Sequence, residues 1–358
     1  MTEVLASVCR VSDADALEPL RAEWNALALR QRNPCQRIEW AQTSLAITWR
    51  EQDGPAYLYT VRRDGRLSAL ALMRLRRDAT GEYLEDVGTS DHYEPNDWLY
   101  DSLPDLELLA RQVMKTRRPI MLCRLPGDSW VPQVLQSAIG RSGLVRRIKA
   151  PAYPFIPLAS CPDGALNSGR RSDLRRMRQR AERAGGLRVE FLRPQAEEMP
   201  ALLDLAIAIE AASWKIQTPH ALIHNPLGQR FMRDYMARAA QAGIARVAFL
   251  YIGEQPAAMQ LAAASGDAYW LFKIGYDATL ASMAPGQLLM QASIRACAEA
   301  GLQRFEMLGT AAEWTRVWTR DESPSWRLEA YPPCAHSARQ LVGKLLAKLR
   351  HRLARKRA

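Results

Sequence analysis

Between residues 245 and 277 the chain runs through three apolar segments, ARVAFLYI, PAAMQLAAASG and AYWLFKIGYD, the first two separated by Gly253-Glu254. Segments of this length, bounded by turn residues, read as strands. A helix follows: ASMAPGQLLMQASIRACAEAG, residues 281–301, carries Pro285-Gly286 at the front of a helical run, and RFEML at 304–308 is a further strand. Upstream, EEMPALLDLAIAIEAASWK and LGQRFMRDYMARAAQAG read as two more helices. This order of elements confines the second half of the chain to a sheet flanked by helices.

The first half repeats the plan. DADALEPLRAEWNALALRQR sets Leu17, Leu20, Trp24 and Leu27 on one helical face. AYLYTVRRDGRLSALALMRLRR is a hairpin turning at Asp64-Gly65. Residues 105–117 read as helix, PIMLCRLP as strand and SWVPQVLQSAIGRSG as helix. A shared order of helix, hairpin, helix and strand indicates an internal structural duplication, although the halves have no residue-level identity. A chain of 358 residues also exceeds one hydrophobic core. The Pro-rich stretch APAYPFIPLASCPDGAL, around 150–165, has no helical period and suits a crossover. The expected organisation is an N-terminal domain over 1–150, a second domain over 151–335 and a tail over 336–358. The expected fold class is mixed α/β (α+β), each half a mixed sheet flanked by helices.

Charge is unevenly spread. Lys and Arg outnumber Asp and Glu by 49 to 38, a net charge of +11. The last twenty residues, RQLVGKLLAKLRHRLARKRA, hold eight Lys or Arg and no acid, with Leu341, Leu345 and Leu349 at four-residue spacing beside Leu346 and Leu353. This pattern is a basic amphipathic helix, suited to an anionic membrane leaflet, to RNA phosphates or to docking on its own domain. A second basic helix, GRRSDLRRMRQRAERAGG, has seven Arg between Arg170 and Arg183 against Asp173 and Glu182. It is either a solvated face or a wall against a phosphate-bearing ligand. No run is long and apolar enough to span a membrane and the N-terminus lacks signal-peptide order, so a cytoplasmic protein is expected, peripheral at most to the inner face of the membrane. The six cysteines lie far apart without a CxxC pair and read as reduced thiols. His220 and His224 are interrupted by no glutamate and flanked by Pro219 and Pro226, so no metal site is expected.

Pro285-Gly286 raises the question of a ligand. A helix start leaves about four N–H groups unpaired and carries roughly half a positive charge. Pro there has no N–H to waste, and Gly admits close approach to the backbone. Pro285, Gly286, Gln287 and Leu288 are therefore candidates to cradle a phosphate. Lys273, inside the apolar YWLFKIG, is costly unless its amine reaches water or an anion. Lys215 can likewise hold an anion while the Trp214 ring walls a pocket.

Five landmarks in register resemble the CelD/BcsL family of acyltransferase-like proteins associated with bacterial cellulose and exopolysaccharide synthesis, a branch of the GNAT N-acyltransferase superfamily. They are Trp214-Lys215 in EAASWK; Lys273, Tyr276 and Asp277 in LFKIGYD; MAPGQLL; Glu306 with Gly309; and Trp314-Thr315 with Trp318. Weaker echoes in the first half are Trp24, the Asp64-Gly65 hairpin and VGTSDHY. The resemblance spans roughly residues 15–330. Glu306 stands where the family has aspartate, Thr315 where it has lysine, and Ala284 where it has serine.

This resemblance implies two tandem GNAT-like domains, similar to the FemABX peptidyltransferases, the first degenerate and the second catalytic. It implies acyl-CoA as co-substrate, lying where two strands splay, with its pyrophosphate on the helix beginning at Pro285. The amine would attack directly, without a covalent enzyme intermediate. Asp277 and Glu306 are then candidates for general base or ammonium holder, and Tyr276 for proton donor to the departing thiolate. Trp214, Lys215, Lys273, Gly309, Trp314 and Trp318 become candidates for substrate contact. The leading expectation is transfer of an acyl group to the amine of an amino sugar or other small acceptor, in polysaccharide or lipid assembly. Two alternatives stand beside it: a Fem-like aminoacyltransferase using charged tRNA, in keeping with the basic helices, and a non-catalytic scaffold for a membrane-attached synthase.

Overall fold

The computed structural model describes residues 3–50, 54–161, 163–213 and 221–357, with side chains as far as residue 346. The chain divides into two units, Met1–Pro151 with Pro324–Ala358, and Ala152–Ser323.

Unit 1 starts with β1 (Val4–Val11), an edge strand with only Val11 buried, absent from the expected elements. The helix expected over 13–32 is two pieces, because Pro19 lies in a 3-10 turn over Asp15–Leu20 and regular helix begins only with α1 (Arg21–Gln31). Trp24 and Leu27 of α1 are buried, as their spacing requires. After α2 (Ile38–Thr43) comes the hairpin of β2 (Ala56–Arg63) and β3 (Arg66–Asp78). Asp64 and Gly65, at φ 49° and 77°, make the two-residue turn that matches strand twist. Then follow β4 (Gly81–Asp86), α3 (Thr89–His92), β5 (Leu99–Tyr100), α4 (Leu103–Met114), β6 (Ile120–Pro126) and α5 (Val131–Ile139). α4 and α5 cover one sheet face with Leu106, Leu109, Val113 and Leu135, while Trp24, Leu27, Ile38 and Leu45 cover the other.

The Pro-rich stretch expected as a crossover is largely a strand, β7 (Leu144–Pro157). Its prolines are tolerated because they need only accept: the Pro154 carbonyl takes the Met307 N–H at 3.0 Å. Unit 2 continues with α6 (Ser168–Arg183), β8 (Leu187–Leu192), α7 (Met199–Ala211), α8 (Pro226–Gln241), β9 (Ala245–Ile252), β10 (Gln255–Ser265), β11 (Ala268–Tyr276), α9 (Pro285–Glu299), β12 (Arg304–Glu306) and α10 (Glu313–Arg316). The chain then returns to unit 1 through β13 (Glu322–Tyr331) and α11 (Ala335–Arg357).

The two sheets follow one plan. In unit 1, β1 to β4 pair antiparallel in sequence, β4 pairs parallel with β6, and β6 pairs antiparallel with β13. In unit 2, β8 to β11 pair antiparallel in sequence, β11 pairs parallel with β12, and β12 pairs antiparallel with β7. The fold is mixed α/β, with a mixed sheet flanked by helices in each unit and one strand plan repeated along the chain.

α11 docks by polar contacts. Gln340 is buried and accepts from Thr80 Oγ1 at 2.9 Å, and Lys344 Nζ donates to Glu329 Oε1 at 2.9 Å and to Tyr331 Oη at 2.7 Å. Val342, Leu345 and Leu346 stay 56%, 59% and 48% exposed, so these leucines do not seat the helix on its own unit. Leu349 and Leu353 lie outside the described side chains. Among the described residues no helix is long and apolar enough to cross a membrane. All six cysteines are free thiols.

Unit 1 buries two acids, Asp86 and Asp97, that form no ion pair among the described residues. Burial pushes the Asp86 carboxyl up to about 7 and the Asp97 carboxyl up to about 8, against the hydrogen bonds that Trp98 and Ser129 donate to them. In the unfolded chain both would ionise near 4, so over the intervening pH range the folded state holds more protons and loses stability as pH rises. The thermal midpoint is expected to fall by more than about 5 °C between pH 5 and pH 8. Asp97→Asn, which keeps an oxygen for the Trp98 and Ser129 donors, should flatten that dependence; a profile unchanged in the variant would refute the assignment.

Candidate active site

The parallel pairing of β11 with β12 covers three rungs, Ala268 with Arg304, Tyr269 with Phe305 and Trp270 with Glu306, and then stops. β11 runs on to Tyr276. Two local features part the strands. The β10–β11 register slips between Leu261 and Ala262, leaving Phe272 as an extra residue in β11. Beyond β12, Leu308 and Gly309 both take left-handed conformations at φ 53°, turning the chain away. For buried Leu308 that conformation is strained, a feature concentrated at functional sites. A wedge-shaped cleft thus opens between β11 and the end of β12.

Glu306 lies at the apex. It is 3% exposed; Oε1 accepts from Arg304 Nε at 2.6 Å, and Oε2 has no partner among the described residues. Trp270, its rung partner, is also buried with Nε1 unpartnered among those residues. Parallel rung partners share a sheet face, so an unmet acceptor and an unmet donor face the same side of the cleft. Burial raises the Glu306 carboxyl above the ordinary glutamate range, opposed by Arg304. Arg304 is held in turn by Ser323 Oγ at 2.9 Å and by the face of Phe155, 3.6 Å from its centroid. Phe272, Tyr235 and Phe231 form an aromatic wall, with ring centroids 5.3 and 6.2 Å apart along the series.

On the other face of β11 the α9 start is reached through a left-handed Ala284, φ 49° and ψ 49°. The Gln287 and Leu288 N–H groups donate to the Ala284 carbonyl at 3.0 and 3.1 Å. The expected cradle of three amides is therefore reduced, because two of them already close the first turn; Gly286 supplies the amide not bonded to that carbonyl. Gly286 has a packing reason as well: a Cβ there would sit 3.1 Å from Tyr276 Cδ1. Pro285 and Leu288 are buried and Gln287 is exposed. α6 packs beside this turn, and Arg180 Nη1 donates to the Ser282 carbonyl at 2.8 Å. Arginines of the basic helix thus border the start of α9.

The other expected residues separate. Asp277 caps the 3-10 turn Ala278–Met283: Oδ1 accepts from Thr279 N and Oγ1 at 2.9 and 2.7 Å, and Oδ2 accepts from Gln255 Nε2 at 2.8 Å. With both oxygens engaged it acts as a structural cap rather than a base. Tyr276 packs its ring on Gly286. Lys273 is half-buried on β11 opposite Leu261. Gly309 and Trp314 are exposed beyond β12. Trp318 is 2% exposed and packs against Gly164 in the core, which removes it from substrate contact. Trp214, Lys215 and His220 lie outside the described residues. Trp270 and Arg304 were absent from the expected set, although Arg304 and Glu306 at i, i+2 share a strand face, a signal readable in the sequence. Among the described residues no group of three or more His, Cys, Asp or Glu could hold a metal ion.

Comparison with known proteins bears on this cleft. Residues 168–316 match the family model described as an acetyltransferase (GNAT) domain. No curated protein matches the chain in sequence. Among solved structures it is similar to FemX, at 10% identity and TM-score 0.59, over 94% of this chain and 100% of that one. It is also similar to the C-terminal DUF2156 domain of a protein described as a lysylphosphatidylglycerol synthetase from Agrobacterium fabrum, at 12% identity and TM-score 0.56, over 91% and 94%. A conserved protein of unknown function from Bacteroides thetaiotaomicron aligns at 9% identity and TM-score 0.58, over 91% and 100%. At these identities the likeness is one of fold. The segment 168–316, which carries the β11–β12 cleft, α6 and the α9 start, is a GNAT acetyltransferase domain.

Proposed function

We propose that the protein is an N-acyltransferase that moves an acyl group from acyl-CoA to the amine of an amino sugar or other small acceptor, in polysaccharide or lipid assembly as the CelD/BcsL-like landmarks suggest. The observation that carries this reading is the β11–β12 cleft, with a buried, half-unpartnered carboxyl at its apex and a helix start bordered by arginine at its side. The donor's pyrophosphate would lie at the α9 start beside Arg180, where amide, dipole and guanidinium favour an anion. Its thioester would reach into the cleft. Glu306, raised by burial, would take the proton of the attacking ammonium, and Trp270 Nε1 is a donor on the same face. The proton for the departing thiolate has one nearby source in Tyr276.

Calorimetric titration with coenzyme A tests the donor site. Gln287→Glu places a negative charge in the first turn of α9 without touching the core, and an acid there favours the helix itself. Affinity should fall at least about tenfold with thermal stability unchanged or higher; equal affinity would exclude this donor site. For the chemistry, thiol release from acetyl-CoA is followed across small amines. Glu306→Gln should lower kcat by about 10²–10³-fold with coenzyme A affinity retained. The acid limb of wild-type kcat/KM should lie above the ordinary glutamate range, since activity requires the ionised carboxylate.

A second reading, transfer from charged tRNA, is favoured by the exposed arginines of α6 and the +11 charge. Retained tRNA that competes with coenzyme A would move the assignment there. The exposed Val342, Leu345 and Leu346 on basic α11 support peripheral contact with an anionic membrane. Sedimentation with anionic vesicles should exceed that with neutral ones, and Leu345→Asp should cut the bound fraction at least about threefold.

A further inference from the structure

Unit 1 repeats the divergence of strands that makes the cleft in unit 2. β4 occupies the place of β11 and β6 that of β12, and their parallel pairing is confined to Leu84 with Ile120. The last residues of β4, Glu85 and Asp86, run past it. At this point unit 1 holds a cavity of about 30 Å³ walled by Trp24, Trp40, Trp98 and Leu72, with Asp86 and Asp97 at its lining.

The two acids differ in satisfaction. Asp97 Oδ1 accepts from the Trp98 N–H at 2.8 Å and from Ser129 Oγ at 3.0 Å. Asp86 is 2% exposed; Oδ1 accepts from Trp98 Nε1 at 3.2 Å, and Oδ2 is buried without a partner among the described residues. Among the described residues neither acid forms an ion pair with Arg or Lys, and Arg74, on the preceding rung, is engaged by Glu85 at 2.7 Å and Asp91 at 2.9 Å. An orphaned carboxyl oxygen in a tryptophan-walled cavity is met either by the proton the acid keeps to about pH 7 or, once ionised, by a compact donor of positive charge.

We propose that this cavity binds the ammonium group of a small primary amine, with Asp86 Oδ2 accepting its N–H and the indole rings facing the charge. Cavity size restricts the occupant to the head of the amine. Indole walls beside the orphaned Asp86 Oδ2 favour an organic ammonium over an alkali cation, which takes its shell from oxygen ligands alone. This site belongs to unit 1 and is independent of the acyl transfer proposed for unit 2.

The probe is methylammonium chloride, exchanged for sodium chloride at constant ionic strength and read by thermal midpoint and tryptophan fluorescence. The midpoint should rise by about 2–4 °C once the amine exceeds its dissociation constant roughly tenfold. Potassium chloride and the oversized tetramethylammonium chloride should give no such rise. Glu306→Gln should keep the response. Asp86→Asn retains an oxygen for Trp98 Nε1 and should abolish it; should that variant fail to fold, the contrast between methylammonium and tetramethylammonium in the wild type decides alone. No response to methylammonium, an equal response to potassium or tetramethylammonium, or an undiminished response in folded Asp86→Asn would each overturn the proposal.

Discussion

The early end of one parallel strand pair governs the rest of unit 2. A parallel ladder that stops at Trp270 and Glu306 while β11 continues leaves backbone and side chains facing a gap. Everything catalytically suggestive follows from that gap: the buried carboxyl at its apex, the unmet indole donor beside it, and the α9 start on the opposite face. Parallel strands need a crossover helix, and here α9 is that crossover, so its N-terminus is delivered to the open end of the pair by connectivity alone. The bulge at Phe272 and the left-handed Leu308 hold the strands apart.

Unit 1 has the same strand order and a parallel pair that ends after one rung instead of three, yet fills its space differently. Tryptophans occupy the cavity walls, and Asp86 and Asp97 sit inward without cations. Burying an unpaired acid is unfavourable, and the carboxyls respond by holding their protons to higher pH. The repeated strand plan thus carries different surroundings: in unit 2 a buried glutamate at the strand divergence with the arginine-bordered α9 start on the other face of β11, and in unit 1 a tryptophan-walled cavity lined by two aspartates.

Strand patterning made the duplicated plan legible. Apolar runs between Asp64-Gly65 and Gly253-Glu254 turns can only be hairpins, and Pro285-Gly286 marks a helix start by local stereochemistry. Less legible were β1, β7 and β13. β1 is an exposed edge, and β7 contains three prolines whose missing donors matter only when the partner strand's needs are known. Asp277 and Trp318 show the same limit at the site. Turn chemistry and an aromatic side chain are equally consistent with catalysis and with structure until their neighbours are in place.

By itself the sequence determined periodicities, turns, helix starts and the concentration of cationic charge in two helices, because each depends on residues within a few positions of one another. The tertiary structure alone decided that β11 outruns β12, that Glu306 is buried with one oxygen unpartnered among the described residues, that Trp318 is core and that Asp86 lines a cavity. These depend on which strand is brought alongside which. Register and burial are long-range quantities, and the desolvation that sets a carboxyl's reactivity exists only once distant segments have closed over it.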